Sequence, residues 1–249
     1  MSCKYFILTK PQNKEITNNN TNQIIYINNY KTYILPQNNI EYYINNGLFE
    51  SNLIEWSRQF CSKDKIMLDI GAHTGTYAIS LADNCEHVFA FEPQKMTYYA
   101  LCGSVALSNL KNLDCLNIGL GSPEQVGIKD LFIVSNDGGG STVINSNDSN
   151  KQHQVLATEQ IIIKNLDSLN INNIGFIKMD VEDNELNVLK GSLDTLKNSN
   201  YPKILFESNK INNENNNITN DLFNYLKDLQ YNIIQISGFN NMFLATYKI

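Results

Sequence analysis

The sequence predicts an α/β fold: a doubly wound, mostly parallel sheet closed by a terminal antiparallel strand pair, with a small N-terminal β-rich extension and an inserted hairpin. Three observations carry this. Short apolar runs alternate with segments of helical periodicity from residue 66 to 206, the pattern of buried parallel strands joined by crossover helices. The first strand runs directly into Gly71-Ala72-His73-Thr74-Gly75 and a helix, a strand–turn–helix junction of the kind that opens such sheets. Two alternating segments near the end, joined by Ser237-Gly238-Phe239-Asn240-Asn241, read as an antiparallel pair.

Taken in order, residues 1–45 alternate Asn-rich loop with short Ile/Tyr runs (24–27 and 32–35) and form the expected β-rich extension, with the main domain over 46–249. Leu48, Phe49, Leu53, Ile54, Trp56 and Phe60 fall on one broad helix face. Strand Ile66–Ile70 is followed by the turn 71–75, a helix over 76–82, strand His87–Phe91, a helix over 94–110 and a third strand over 113–120. Extended segments 127–134 and 155–163 flank the loop 135–150 and predict the hairpin. A fourth strand at 175–179, a helix over 184–196, a fifth strand at 203–206 and a helix over 221–229 lead to the closing strands 231–236 and Met242–Tyr247.

Composition narrows the function classes. The 249 residues are 42 % hydrophobic and 18 % charged, a globular balance, and the net charge of −6 comes without clustered Lys or Arg. Nucleic acid is therefore not an expected partner, since its affinity rests on clustered cations. No run approaches the roughly 18–20 apolar residues of a bilayer span, and the apolar stretch near Met1 is too short for a secretory signal, so a cytoplasmic protein without membrane insertion is expected. Cys3, Cys61, Cys85, Cys102 and Cys115 form no CxxC pair and read as free thiols. The 39 Asn residues concentrate in polar tracts such as 18–20 and 212–217, which read as loops.

The turn at 71–75 carries the sharpest chemical signal. Backbone NH groups and a helix N-terminus at the carboxyl end of a parallel strand define a ligand crevice. Glu92, 21 residues beyond Gly71, closes the second strand at the spacing where an acid reaches ribose hydroxyls. A nucleoside cofactor follows, of one of two classes. A dinucleotide needs glycine where His73 stands, so that pyrophosphate can approach the backbone. S-adenosylmethionine has no phosphate to accommodate, and Asp69 adds a carboxylate near its cationic methionine end. It is the favoured cofactor, with a nicotinamide enzyme as the rival.

These residues resemble the FkbM-type, S-adenosylmethionine-dependent methyltransferases. The resemblance spans about residues 48–208 through Leu68-Asp69-Ile70-Gly71-Ala72-His73-Thr74-Gly75, Phe89-Ala90-Phe91-Glu92-Pro93, Leu166-Asp167-Ser168-Leu169, Ile177-Lys178-Met179-Asp180-Val181-Glu182, Glu185-Leu186, Leu189-Lys190-Gly191 and Ile204-Leu205-Phe206-Glu207. It implies a class I, Rossmann-like methyltransferase fold and O-methylation of a sugar, glycan or other hydroxylated small molecule. By similarity Asp69, Gly71, Ala72, His73 and Gly75 line the methionine end of the cofactor, Glu92 holds its ribose, and Glu50 lies close to it. Thr76, Tyr77, Pro93 and Gly119 complete the expected cofactor set. One departure stands out: Asp183 replaces the glycine of the family's Asp-Val-Glu-Gly-x-Glu, which also motivates a cofactor-binding module without catalysis as an alternative.

Methyl transfer to a hydroxyl needs alignment and a proton acceptor. Lys178, Asp180 and Glu182 have period-two spacing, so an extended segment would put them on one face of the crevice. Asp180 or Glu182 is the expected base, its pKa raised by like charges and partial burial, with Lys178 as polariser or charge partner. Acids in this position also cap helices, and Glu207 reads equally as structural or as a substrate contact. No metal is expected, since three nearby carboxylates in an acidic chain are not a metal signature. Loop 135–150, with its triple glycine Gly138-Gly139-Gly140, is expected to close over the acceptor. The sequence leaves the oligomeric state open.

Overall fold

The computed structural model describes residues 5–9, 31–136, 138–143, 154–208 and 217–248. The run at 24–27, Cys3 and half of loop 135–150 lie outside them. The chain forms β1 (Tyr5–Thr9), β2 (Thr32–Pro36), α1 (Ile40–Asn46), α2 (Ser51–Ser57), β3 (Ile66–Ile70), α3 (Thr76–Leu81), β4 (His87–Phe91), α4 (Lys95–Leu107), β5 (Leu113–Leu116), β6 (Gly119–Leu120), β7 (Gly127–Ile133) and β8 (Ala157–Lys164). It continues through β9 (Ile174–Met179), α5 (Glu185–Lys190), α6 (Leu193–Asn198), β10 (Lys203–Glu207), α7 (Asn217–Asp228), β11 (Tyr231–Gln235) and β12 (Met242–Tyr247).

The central sheet runs β11-β12-β10-β9-β3-β4-β5, parallel from β10 to β5 and antiparallel at β12 and β11. Met67, Leu68 and Ile70 of β3 are buried on both faces of the sheet, as a doubly wound fold requires. One core cluster joins Leu53, Ile54, Ala78, Ile79 and Leu101, a second joins Val188, Leu189, Leu196, Leu222 and Leu226, and a small third joins Leu131, Ile161 and Ile163.

The N-terminal segment is bound closely to this core. Tyr33, Leu35 and Tyr43 are buried in the first cluster. The backbone NH groups of Thr32 and Ile34 donate to the hydroxyls of Ser108 and Ser104 on α4, each at 2.8 Å, so serines satisfy what a neighbouring strand would. Lys31 is buried with its ammonium against the carbonyls of Ile79 (2.5 Å) and Ser80 (3.2 Å) at the end of α3, and against Asp83. A cation there complements the negative end of the helix. The extension is not purely β: Ile40–Asn46 is helical.

Two expected elements are divided. The strand expected over 113–120 leaves the central sheet after Leu116, where the Asn117 amide donates to the carbonyls of Glu92 and Pro93, both at 2.9 Å. Gly119–Leu120 then pairs in parallel with β8, in a separate sheet ordered β6-β8-β7. The helix expected over 184–196 breaks at Gly191-Ser192. A Cβ on Gly191 would collide with the carbonyl of Gly121, and the helix restarts where the Asp167 carboxylate accepts the NH groups of Asp194 (3.3 Å) and Thr195 (2.8 Å).

Candidate active site

A cavity of about 390 Å³ opens at the carboxyl ends of β3, β4 and β9, a volume suited to a small-molecule site. Gly71 makes it possible. Its φ is +77°, and a Cβ there would run into the carbonyl of Asp180, so the turn after β3 and the turn after β9 approach at a distance only glycine permits.

The turn's NH groups do not face the cavity as the sequence suggested. Gly71 and Ala72 both donate to the carbonyl of Phe91 (3.0 and 2.9 Å), His73 to Glu92 Oε2 (2.8 Å) and Gly75 to the carbonyl of Ala72 (2.8 Å). The turn is thus held to β4 rather than open to an anion. Glu92 is buried, its second oxygen accepting the NH of Gln94 at 2.8 Å. Burial outweighs these hydrogen bonds and pushes its carboxyl up to about 7.

Of the predicted cofactor residues, Glu50, Gly71, Ala72, His73, Thr76, Tyr77, Glu92, Pro93 and Gly119 line the cavity. Asp69 and Gly75 do not line it. Asp69 is 1 % exposed beneath the turn, with Oδ2 accepting the NH of Ala78 at 2.9 Å, so it braces α3; burial pushes it up to about 6. Gly75 has φ +86° and faces Leu101 and Ile79.

Lys178, Asp180 and Glu182 all reach the cavity, but by different routes. Strand β9 ends at Met179, and Glu182 and Asp183 adopt left-handed φ of +51° and +75°, so the three do not share an extended face. Asp183 keeps the conformation that a glycine would adopt freely. Lys178 Nζ lies 3.1 Å from Asp180 Oδ2 and 5.1 Å from the ring centre of Tyr77, whose hydroxyl donates to Glu50 Oε2 at 2.7 Å. Burial alone would lower the lysine pKa, but Asp180, Asp69 and Glu50 together hold it above its usual value. The same attraction corrects the expected upward shift at Asp180: burial does push it up, but the Lys178 ammonium outweighs this and holds Asp180 below the ordinary carboxylate range. Neither Asp180 nor Glu182 caps α5, whose N-cap is Asn184.

Glu182 is engaged by the hairpin. Gly140 donates its NH to Glu182 Oε1 at 3.0 Å, and the Thr142 hydroxyl donates to the Glu182 carbonyl at 2.9 Å. Ser141 reaches the side chain of Gln94 at 3.2 Å. The hairpin also supplies an apolar wall through Leu131, Ile161 and Ile163, which the expectation of a lid alone did not identify. Alternation along the two strands was the signal for it. Glu207, at the end of β10, lies on the strand adjacent and parallel to β9, whose last residue Asp180 follows, and the two carboxyls interact electrostatically. Among the described residues no group of three or more His, Cys, Asp or Glu is placed to hold a metal ion, and no helix is long and apolar enough to cross a membrane.

Residues 69–233 match the sequence model of the methyltransferase FkbM domain. The chain belongs to the FkbM methyltransferase family. Its members transfer methyl groups from S-adenosylmethionine, the cofactor of this chain. Among solved structures, the FkbM methyltransferase from Methylobacillus flagellatus is similar at 18 % identity and a TM-score of 0.51, covering 74 % of this chain and 44 % of its own. The chain thus spans less than half the length of that relative. Precorrin-6y C5,15-methyltransferase from Geobacter metallireducens is similar at 11 % identity and a TM-score of 0.50, covering 81 % of this chain and 90 % of its own. A Streptococcus mutans protein solved in complex with SAH has a TM-score of 0.45, 13 % identity, and coverage of 77 % and 94 %. No curated protein matches the sequence. With the family match, the first two of these likenesses establish a class I methyltransferase fold.

The donor set fits the family's cofactor. Glu50 places a carboxylate beside the cavity, suited to a cationic methionine end, Glu92 adds one at the end of β4, and Ile118, Leu131 and Ile163 offer an apolar wall for a base. The turn keeps its NH groups for Phe91 and Glu92, as suits a cofactor without phosphate.

Proposed function

We propose that this chain methylates a hydroxyl of a sugar, glycan or other hydroxylated small molecule, using S-adenosylmethionine. The observation that supports this most is the Asp180–Lys178 pair on the cavity wall: a partly buried carboxylate, kept ionised by a buried ammonium 3.1 Å away. When bound, the cofactor supplies an electrophilic methyl group. Glu50 and Tyr77 bind its methionine end, Glu92 its ribose, and Lys178 fixes the orientation of Asp180. Asp180 accepts the hydroxyl proton, and Glu182 holds loop 138–142 in place beside it. The lining carboxylates and the short reach of the cavity favour a small uncharged acceptor group over a nucleic acid.

Incubation with methyl-labelled S-adenosylmethionine and a panel of sugars, oligosaccharides, phenols and amines tests the reading. Label on a hydroxyl oxygen, lost in Asp180→Asn, is expected. Transfer only to amines or carbon would overturn it, and cofactor binding without transfer across the panel would mark a non-catalytic binding module.

A further inference from the structure

We propose that Asp180 and Glu207 act as one proton-accepting unit, with Glu207 positioning and tuning Asp180; this rests on the proposed role of Asp180 as base. The two carboxyls stand at the ends of neighbouring parallel strands. Phe206 pairs with Met179 in the β10–β9 register, so Glu207 falls beside Asp180, and the two carboxyls interact electrostatically. Two carboxylates have no donor between them, so the pair can hydrogen-bond only by holding one proton. Asn241, in the β11–β12 turn, donates its amide to Glu207 Oε1, and Ser208 donates its NH to the Asn241 carbonyl at 2.8 Å, which fixes Glu207 from the far side. Lys178 holds the other side of Asp180.

The charged surroundings set how the pair titrates. Lys178 from β9, His73 from the turn after β3, Asp69 from β3, Tyr77 from α3, Glu50 before α2, Glu182 after β9 and Glu185 from α5 are the titratable groups around it. Burial and the Asp180 charge push Glu207 up to about 8, while Lys178 holds Asp180 low. Such a dyad has two apparent pKa values that belong to the pair. Asp180 alone, held low, is a poor base for a hydroxyl. The doubly ionised dyad is a better one, because the arriving proton becomes the one shared between the carboxyls. In the balanced step the acceptor O–H bond breaks, its proton goes to Asp180 and is held between Asp180 and Glu207, and an O–CH₃ bond forms. The S–CH₃ bonding pair returns to sulfur, and the dyad then releases its proton to solvent.

Carboxyl ¹³C NMR of the full chain labelled at Asp and Glu, titrated from pH 4 to 9.5, tests the sharing without any acceptor. An alkaline step sensed by both residues is expected, absent in Glu207→Gln and in Asp180→Asn, with thermal unfolding confirming that each variant folds. Where the labelled-methyl panel yields an acceptor, kcat should rise with pH through about 8 in the native protein and lie flat, about 10-fold or more lower, in Glu207→Gln. Cofactor affinity should change less than about 3-fold. A Glu207 that titrates in the ordinary carboxylate range, or whose alkaline step persists in Asp180→Asn, would overturn the shared proton. A pH limb of kcat retained in Glu207→Gln would overturn its part in the base. Failure of every hydroxyl acceptor beside a coupled titration would instead count against the proposed function.

Discussion

At the residue scale the proposed function divides the site into groups that hold the cofactor and groups that act on the acceptor. Glu92 is buried beneath the turn and tied to His73 and Gln94, whereas Asp180 is paired to Lys178 at the cavity surface. Glu92→Ala should therefore weaken S-adenosylhomocysteine binding about 10-fold or more by isothermal titration. Asp180→Asn should lower turnover about 10²–10⁴-fold, with cofactor affinity changed only a few-fold. Equal losses of binding in both variants would undo this division. Asp183 offers a stability test. Its φ of +75° burdens a side-chain-bearing residue with a cost that glycine escapes, partly offset by glycine's greater unfolded freedom. Asp183→Gly should raise stability by up to about 1 kcal/mol in urea unfolding, and a loss of stability would show that the Asp183 carboxylate makes a stronger contribution than its backbone costs.

At the element scale, the hairpin β7–β8 and the loop that joins its strands serve the cavity in two ways, as apolar wall and as a strap held on Glu182. Glu182→Gln keeps an acceptor for Gly140 but weakens its charge-assisted bond. It should raise the acceptor KM several-fold, while deletion of Gly138-Gly139-Gly140 should raise it further and lower kcat; unchanged constants in the deletion would exclude a closing role. Much of this architecture was legible in the sequence, because buried parallel strands announce themselves as apolar runs. The divisions were not legible for physical reasons. The strand expected over 113–120 keeps its apolar pattern across the break, since Leu116 and Leu120 serve different sheets. Gly191 ends α5 through a close approach to Gly121, a contact between segments 70 residues apart that no local pattern carries. Asp69 looked like a cofactor residue because its position in the strand is right, but its side chain points to the NH of Ala78 beneath the turn. The pairing of Glu207 with Asp180 needed the β10–β9 register.

Across the whole molecule, burial raises the pKa of several carboxyls at once. Asp69 rises to about 6, Glu92 to about 7, and Glu185 and Glu207 to about 8. In the unfolded chain they titrate near 4, so between about pH 5 and 8 the folded state binds more protons than the unfolded state. Stability must then fall as pH rises through that window, opposite in sign to a protein stabilised by ionised carboxylates. Melting temperature should therefore be lower at pH 8.5 than at pH 6. A melting temperature that rises over that range would contradict the burial of these groups. The same acid-rich interior surrounds a cavity whose lining suits a cationic, phosphate-free nucleoside. Isothermal titration of the full chain with S-adenosylhomocysteine, with NADH in parallel, tests that claim most directly. Micromolar binding of S-adenosylhomocysteine, weakened in Glu92→Ala, with none of NADH, is the result this structure predicts; binding of NADH, or of neither, would contradict it.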